Sequence, residues 1–177
     1  MRKIPYSLQF RGYVEPLAPS VLHARATAPG TSFVTRIGEH GLTGSFEPVE
    51  CEEAVLEARL LVAADGSLDS TGTITCGHGN VLRFRTLVTG RLADSPDPHL
   101  RQGTVVCAID GGEGQFSGAR GRIASTFVLS DTGELTDNHL GLVFLQNGVA
   151  DAVTPERRVT GMRGRTARWK EVRSEHV

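Results

Sequence analysis

Short apolar runs with a two-residue period recur along this chain, and glycine-containing turns separate them. In the first run, IPYSLQF, one face is formed by Ile4, Tyr6, Leu8 and Phe10. Such alternation is typical of a half-buried strand. Glycine accounts for 21 of the 177 residues, and the glycines lie between the apolar runs rather than in one tract. Repeated strands and turns with almost no helical period predict an all-β domain, either an antiparallel sandwich or a closed barrel.

Further strands are predicted at SVLHARA, TSFVTRI, LDSTGTITC, NVLRFRTLVTGRL, GTVVCAI, RIASTFVLS and LGLVFLQ. In NVLRFRTLVTGRL, one face is predicted to carry Leu82, Phe84, Thr86 and Val88. GEHGLTG interrupts the pattern, and ADSPDPHLRQ is predicted to be a loop because its prolines suit turns. The segment ECEEAVLEARLLVAA contains helix-forming residues throughout, but it runs directly into Asp65-Gly66, a strong hairpin signal. We predict a strand there and keep a helix as the alternative.

The charge and hydropathy patterns argue against several classes of partner. The chain has 19 basic and 20 acidic residues, a formal net charge of −1, so no overall field attracts nucleic acid or an anionic membrane. It has no apolar run of the length that a signal peptide or a membrane span requires. We therefore expect a soluble, cytoplasmic protein that binds neither nucleic acid nor membrane.

The three cysteines, Cys51, Cys76 and Cys107, are widely spaced and odd in number. This pattern predicts neither a disulfide framework nor a CxxC pair, so we expect reduced, structural thiols. Cys76 and His78 have metal-binding atoms two residues apart, but a metal site normally needs about three or four ligands. No further ligands accompany them in the sequence, and we expect no metal.

The last part of the chain differs from the rest. We predict one barrel or sandwich domain over residues 1–150 and a basic tail over residues 151–177. Between Thr154 and Val177, seven Arg and Lys residues minus three Glu residues give a net charge of +4. A short helix and a flexible arm both fit this segment. It is either a lid or oligomer contact in which Met162, Trp169 and Val172 share a face, or a solvated tail anchored by its tryptophan.

The glycine-rich stretch IDGGEGQFSGARGRI, residues 109–123, suggests a phosphate-binding loop at first sight. No lysine is present to reach a phosphate, and the third glycine of a GxGxxG pattern is one place too late. The residues that follow, ARGRIASTFVLS, alternate like a strand, so no helix N-terminus is available for a pyrophosphate. We therefore predict no nucleotide cofactor. The glycines are predicted to form a tight turn after TVVCAI, with Phe116 as an apolar plug and Gly118 and Gly121 as bends in the next strand.

The residues VVCAIDGGEGQFSGARGRI resemble a strand pair of the allene oxide cyclase and dirigent-type barrels. In that family an apolar strand ends in a Gly-Gly-x-Gly turn that is followed by x-Phe-x-Gly-Ala-x-Gly. The match is carried by Gly111, Gly112, Gly114, Phe116, Gly118, Ala119 and Gly121, and a looser similarity covers residues 55–146. The resemblance implies a small, calycin-like, eight-stranded antiparallel β-barrel with a mostly apolar cavity. It also implies a homo-oligomer, either a dimer or a trimer.

In function, the resemblance implies a cofactor-independent cyclase or isomerase of secondary metabolism. Plant members cyclise an allene oxide or guide radical coupling, and similar bacterial barrels close rings, including Diels–Alder closures, on polyketide-derived substrates. Such a barrel would hold a hydrophobic polyketide-like or polyene molecule in a reactive shape and exclude water, and one or two donors would polarise a carbonyl. The glutamate of the allene oxide cyclases has no counterpart in YSLQFRGYVEP or LEARLLV.

The rival hypothesis is a non-catalytic, lipocalin-like binding barrel or an oligomeric interaction protein. The size of the barrel lumen tests whether the protein binds a ligand, as both an enzyme and a carrier would. A cavity of about several hundred Å³ with one open mouth supports a ligand, whereas a lumen filled by side chains excludes both an enzyme and a carrier.

The candidate catalytic residues are Glu57, Arg85, Tyr6 and His139, and the candidate substrate-binding residues are Phe84, Phe116, Phe127, Tyr13, Trp169 and Arg83. Glu57 with Arg85 or Arg83 is either an orienting pair in the cavity or a solvent-facing ion pair between strands. Each tyrosine either points its hydroxyl into the cavity or packs at the rim or in the core. His139 is either an acid or base at the barrel mouth or a turn histidine without a role.

Overall fold

The computed structural model describes residues 1–39, 41–48 and 52–146. Within these ranges the chain forms ten strands and a short 3-10 helix, Gly114–Phe116. In chain order the strands are β1 (Arg2–Ala18), β2 (Val21–Ala28), β3 (Thr31–Gly38), β4 (Gly41–Pro48), β5 (Ala54–Val62), β6 (Ser67–Cys76), β7 (Val81–Asp94), β8 (Leu100–Glu113), β9 (Arg120–Ser130) and β10 (Glu134–Leu145). The predicted all-β fold is confirmed.

Eight of the strands close into a barrel in the order β1-β10-β9-β8-β7-β6-β5-β2. All neighbouring strands in the barrel are antiparallel. β3 and β4 form a separate two-stranded sheet, inserted in the chain between β2 and β5. The eight-stranded barrel that the resemblance implied is therefore confirmed, and the sandwich is excluded.

Residues 147–177 lie outside the described residues. The expectations for the basic tail, for its residues Met162, Trp169 and Val172, and for the domain boundary at residue 150 therefore remain predictions.

The ambiguous segment before Asp65 is a strand, β5, and the helical alternative is wrong. Its buried side chains alternate with exposed ones, and the buried set is Ala54, Leu56, Ala58 and Leu60. The predicted turn follows this strand, and Gly66 adopts in it a positive φ of +84°. The Asp65 carboxylate fixes this turn by accepting hydrogen bonds from the Ser67 backbone N–H at 2.9 Å and from the Ser67 hydroxyl at 2.6 Å.

The glycine-rich stretch forms the connection between β8 and β9. β8 continues through Gly111 and Gly112 to Glu113, so the turn lies later than predicted, over residues 114–119. Gly118 belongs to this connection and not to a strand. Gly121 does lie within β9, and there a side chain would collide with the carbonyl oxygen of Leu142 on β10. The predicted close backbone approach at this glycine is thus present.

Two local features differ from the strand pattern read in the sequence. GEHGLTG was predicted to interrupt the strands, but it includes the start of a strand, because β4 begins at Gly41 and pairs with β3. In β7 the register shifts between Thr86 and Val88. This bulge turns Val88 outward, so Val88 is 58% exposed instead of sharing the buried face of Leu82 and Phe84, and a second shift between Val88 and Arg91 returns Leu92 to that face. Bulges of this kind insert one residue and turn the following side chains to the other face.

Three aromatic rings inside the barrel lie over glycines on the neighbouring strand. The cross-strand pairs are Tyr6 with Gly141, Phe84 with Gly72, and Phe127 with Gly103. In each pair the ring occupies the space into which a glycine side chain would project. The rings therefore lie close to the wall, which determines where free volume remains in the lumen.

Candidate functional site

Two of the cavities formed by the described residues lie in the lumen. The first, here called the inner cavity, has a volume of about 20 Å³ and is lined by Ala24, Leu56, Ala58, Leu60, Ser70, Phe84, Val105, Cys107, Ile123, Ser125, Phe127, Leu135, Asp137 and His139. The second, here called the mouth pocket, has a volume of about 180 Å³ and is lined by Ile4, Tyr6, Leu8, Ile74, Cys76, Leu82, Gln115, Phe116 and Val143. The mouth pocket lies at the end of the barrel where residues 114–119 connect β8 to β9.

The inner cavity contains a buried hydrogen-bonded network. Asp137 and His139 occupy successive inward positions of β10 and are only 6% and 3% exposed. His139 Nε2 lies 2.9 Å from Asp137 Oδ2, and the hydroxyl of Ser125 donates a hydrogen bond of 2.7 Å to Asp137 Oδ1. Both oxygens of the carboxylate are therefore hydrogen-bonded, which is the condition for keeping an acidic group in an apolar interior.

The ring of His139 is held by aromatic side chains as well as by Asp137. Phe10 packs against it edge to face with ring centroids 4.9 Å apart, and Phe84 does so at 6.4 Å. The other ring nitrogen, Nδ1, is buried and has no hydrogen-bond partner among the described residues. When Nε2–H donates to the Asp137 carboxylate, Nδ1 carries the free lone pair of the neutral imidazole. His139 is then a fixed base with an available acceptor atom.

Tyr6 supplies the second unpaired polar atom of the lumen. Its ring lies over Gly141, and its hydroxyl is buried without a hydrogen-bond partner in the described part of the chain. Burial raises the pKa of Tyr6 well above its ordinary value, with smaller contributions from Cys76, Asp137 and Cys107. Tyr6 therefore stays protonated at neutral pH and can donate a hydrogen bond into the mouth pocket.

The two described cysteines also line the lumen, Cys76 at the mouth pocket and Cys107 at the inner cavity. Both are free thiols. Burial raises the pKa of both, and with the nearby charges of Asp137 and Asp69 it brings the pKa of Cys107 to about 12. The thiolate is the reactive form of cysteine, so neither thiol is activated as a nucleophile at neutral pH.

No group of three metal-capable side chains is found within residues 1–39, 41–48 and 52–146. His78 lies exposed in the turn after β6, where its Nδ1 is 3.8 Å from Glu52.

Five of the candidate residues line the lumen. His139, Phe84 and Phe127 line the inner cavity, and Tyr6 and Phe116 line the mouth pocket. Tyr6 and His139 are close in the wall, because Tyr6 pairs with Gly141 and His139 pairs with Leu8 across β1 and β10. Diagonal neighbours in a sheet are within reach of aromatic side chains.

The other candidates lie elsewhere. Glu57 does not meet an arginine of β7 in the cavity, because it is on the outer face of β5 and pairs with Arg25 at 3.7 Å. Arg83 and Arg85 are also on the outer face, where Arg83 pairs with Glu113 at 2.7 Å and Arg85 with Asp110 at 3.2 Å. These side chains face outward because successive side chains of a strand point to opposite faces, and the residues next to them in the sequence face inward. Tyr13 is 61% exposed on β1, and Trp169 lies outside the described residues.

Asp137 and Ser125 are functional candidates that were not predicted from the sequence. The strand over LGLVFLQ begins earlier than expected, at Glu134. An alternation counted back from Val143 on β10 would have placed His139 and Asp137 on the buried face, and two ionisable residues on a buried face are a recognisable signal.

The mouth pocket is smaller than the several hundred Å³ expected for a polyketide-binding lumen. Its size is close to that of an engineered apolar cavity of about 150 Å³ that binds benzene. The lumen is therefore not filled by side chains, and it has room for a ring-sized apolar group or for one end of a longer molecule. The inner cavity is about the size of a single water molecule.

No protein-family model and no curated protein matches the chain. Among solved structures, the pterocarpan synthase dirigent protein GePTS1 is 15% identical, with a TM-score of 0.30, over 81% of this chain and 88% of that chain. The pterocarpan synthase dirigent protein PsPTS1 is 17% identical, with a TM-score of 0.31, over 83% of this chain and 97% of that chain. Both belong to a group that the glycine motif resembles, but similarity this low identifies no family and no function. Within the described ranges, no helix has the length and apolar character of a membrane span.

Proposed function

We propose that the protein is a cofactor-independent isomerase or cyclase that binds an apolar carbonyl compound at the mouth end of its barrel. The observation that carries the proposal is the state of His139. Its Nε2 is held by Asp137, while its Nδ1 is buried and has no partner among the described residues. A histidine oriented through one nitrogen by a carboxylate is the arrangement that general bases use.

The mouth pocket supports the choice of substrate class. Seven of its lining residues, Ile4, Leu8, Ile74, Cys76, Leu82, Phe116 and Val143, present carbon or sulfur atoms, while Tyr6 and Gln115 present polar groups. Pockets that bind small molecules commonly combine an apolar lining with a few polar groups that fix orientation. The Tyr6 hydroxyl is the suitable donor for a carbonyl oxygen, because it has no hydrogen-bond partner among the described residues.

The proposed reaction starts with a proton on the carbon next to the carbonyl. His139 lines the inner cavity and not the mouth pocket, so the proposal requires this carbon to extend past Tyr6 to the inner cavity. His139 Nδ1 then takes the proton, and the Asp137 carboxylate stabilises the resulting imidazolium. The electron pair of the broken C–H bond moves onto the carbonyl oxygen, which accepts a hydrogen bond from Tyr6. For an isomerisation, His139 returns the proton to another carbon of the same molecule. For a ring closure, the enolate carbon attacks an electrophilic carbon of the chain, and the atom that receives the displaced electron pair takes the proton.

A Diels–Alder-type closure is the more specific version of the proposal. No proton moves in that reaction, so its acceleration comes from folding the substrate in the pocket and from polarisation of a carbonyl by Tyr6. His139 then has no chemical step. The His139→Gln variant therefore distinguishes the two versions, because only the proton-transfer version needs the base.

The test uses deuterium exchange, which reports the base without knowledge of the natural substrate. 4-Phenylbutan-2-one is incubated with the protein in D2O, and deuterium at the carbons next to the carbonyl is followed by mass spectrometry. We expect exchange that falls by about 10²- to 10⁴-fold in His139→Gln and less in Tyr6→Phe. Glu57→Gln, on the outer wall, is the matched control and should exchange like the unaltered protein.

Two outcomes would count against the proposal. Equal exchange in the unaltered protein and in His139→Gln would remove His139 from the reaction. Saturable binding of the ketone without any exchange would instead favour the second candidate function, a non-catalytic binding barrel, which the apolar lining of the mouth pocket also supports.

A further inference from the structure

A groove on the outside of the barrel borders the mouth pocket. It has a volume of about 410 Å³ and lies where β2 ends, β5 begins and the turn between β6 and β7 passes over them. Leu8 and Cys76 line both the mouth pocket and this groove, so the two spaces are adjacent. We call this space the entrance groove.

The charges of the entrance groove are acidic. Glu52 and Glu53 line it, and no Lys or Arg is among its described lining residues. Among the described residues, the ion-pair partner of Glu52 is the His78 side chain, whose Nδ1 lies 3.8 Å away. Glu53 has no hydrogen bond or ion pair with the described residues.

The groove and the mouth pocket are also joined by hydrogen bonds. The side chain of Asn80 accepts a hydrogen bond of 2.9 Å from the backbone N–H of Gln115 at the mouth pocket. Its amide group donates one of 3.3 Å to the carbonyl oxygen of His78 in the groove. The Tyr6 hydroxyl, buried and without a hydrogen-bond partner among the described residues, belongs to the mouth pocket, which shares Leu8 and Cys76 with the groove. A molecule that extends from the mouth pocket past Leu8 and Cys76 would reach Glu52 and Glu53.

From this arrangement we propose that the substrate is an amphiphilic amine, with an apolar part in the mouth pocket and a protonated amino group in the entrance groove beside Glu52 and Glu53. The inference rests on the proposed function, because it concerns the substrate of the same site. It adds the chemical class: a cation is attracted by the two carboxylates, a neutral molecule gains nothing from them, and an anion is repelled.

The test compares three ligands of nearly equal shape, 4-phenylbutylamine, 4-phenylbutan-1-ol and 4-phenylbutanoate, by calorimetric titration at neutral pH and low salt. The amine is expected to bind about three- to tenfold more tightly than the alcohol, in the range of two partly exposed ion pairs, and the carboxylate more weakly than either. The Glu52→Gln/Glu53→Gln double variant should lose the preference for the amine and bind the alcohol unchanged. Glu15→Gln, an exposed carboxylate on β1 outside the groove, should keep the preference.

The outcomes separate this inference from the proposed function. If the alcohol binds but the amine is no tighter, or if the preference survives the double variant, the acidic groove does not select the substrate and this inference alone fails. If neither the amine nor the alcohol binds, the mouth pocket is not a ligand site, and the proposed function fails with it.

Discussion

On the outer wall of the barrel, Glu57 and Arg85 each form a solvent-exposed ion pair with another residue. In the lumen, by contrast, Asp137 and His139 contact each other and are shielded from solvent. The side chain of Arg85 is 61% exposed, and its partner Asp110 also lies 3.8 Å from Arg120. An outer carboxylate therefore has water and a second cation available. Inside the barrel, Asp137 depends on the two hydrogen bonds from His139 and Ser125.

The difference shows that a polar side chain costs more free energy in the lumen than on the outer wall. Exposed ion pairs are weak because water competes for both charges. A buried carboxylate loses its hydration on folding and requires each of its hydrogen bonds. Polar residues that are buried in the lumen despite this cost are better candidates for a functional role than polar residues on the outer wall.

The largest effect is expected when the inner network is broken. Asp137→Ala leaves the Ser125 hydroxyl and His139 Nε2 without their partner. It should lower the free energy of unfolding by about 2–5 kcal/mol, because each buried polar group left unsatisfied costs about 1–3 kcal/mol. Urea unfolding followed by far-UV circular dichroism measures this. Glu57→Ala is the matched change on the outer wall and should cost no more than about 1 kcal/mol. Equal losses in the two variants would show that the lumen pair is no more critical than a surface pair.

An intermediate effect is expected from a change of backbone packing in the lumen. Gly141→Ala forces the ring of Tyr6 away from the wall and should destabilise the protein by about 1–3 kcal/mol, as overpacking does. The same substitution at Gly38 on β3, where no heavy atom lies within 4 Å of the added carbon, should have almost no effect. A Gly141→Ala protein as stable as Gly38→Ala would mean that the Tyr6 ring is free to move.

The smallest effect is expected on the outer wall. Arg85→Ala removes the contact with Asp110, and the loss should stay below about 1 kcal/mol because Arg120 remains near the same carboxylate. The difference should shrink further in about 1 M NaCl, since salt screens exposed charges. Unfolding curves at low and high salt check this, and a salt-independent loss of several kcal/mol would place Arg85 in the core network instead.

The fold could be predicted wherever the two-residue period is uninterrupted. The face of Ile4, Tyr6, Leu8 and Phe10 does point into the barrel, and β5 follows from its own alternation and from the Asp65-Gly66 turn. The period failed at the bulge in β7, because an inserted residue turns Val88 to the outer face before a second register shift returns Leu92 to the buried face. The sequence around Thr86 does not mark that insertion, because the insertion depends on how β7 pairs with β8.

The candidate site was only partly predictable for a similar reason. Five lumen residues could be predicted because each is an aromatic residue or a histidine in or next to a predicted strand. They are Tyr6, Phe84, Phe116, Phe127 and His139. Whether Glu57 and Arg85 faced the cavity depended on which face of the wall is inside, and the apolar neighbours answer that question once the barrel closes. The hydrogen bonds of Asp137 join residues from β9 and β10, so no local pattern could reveal them.

The three rings that lie on cross-strand glycines make this barrel a convenient starting point for protein engineering. Because each ring fills a space that the backbone leaves open, single substitutions can redistribute volume in the lumen while the strands keep their register. Phe84→Ala or Phe127→Ala would enlarge the inner cavity, at a cost of about 3–5 kcal/mol for each ring removed. A stabilised variant of the protein could therefore be adapted stepwise to bulkier ligands, one aromatic residue at a time.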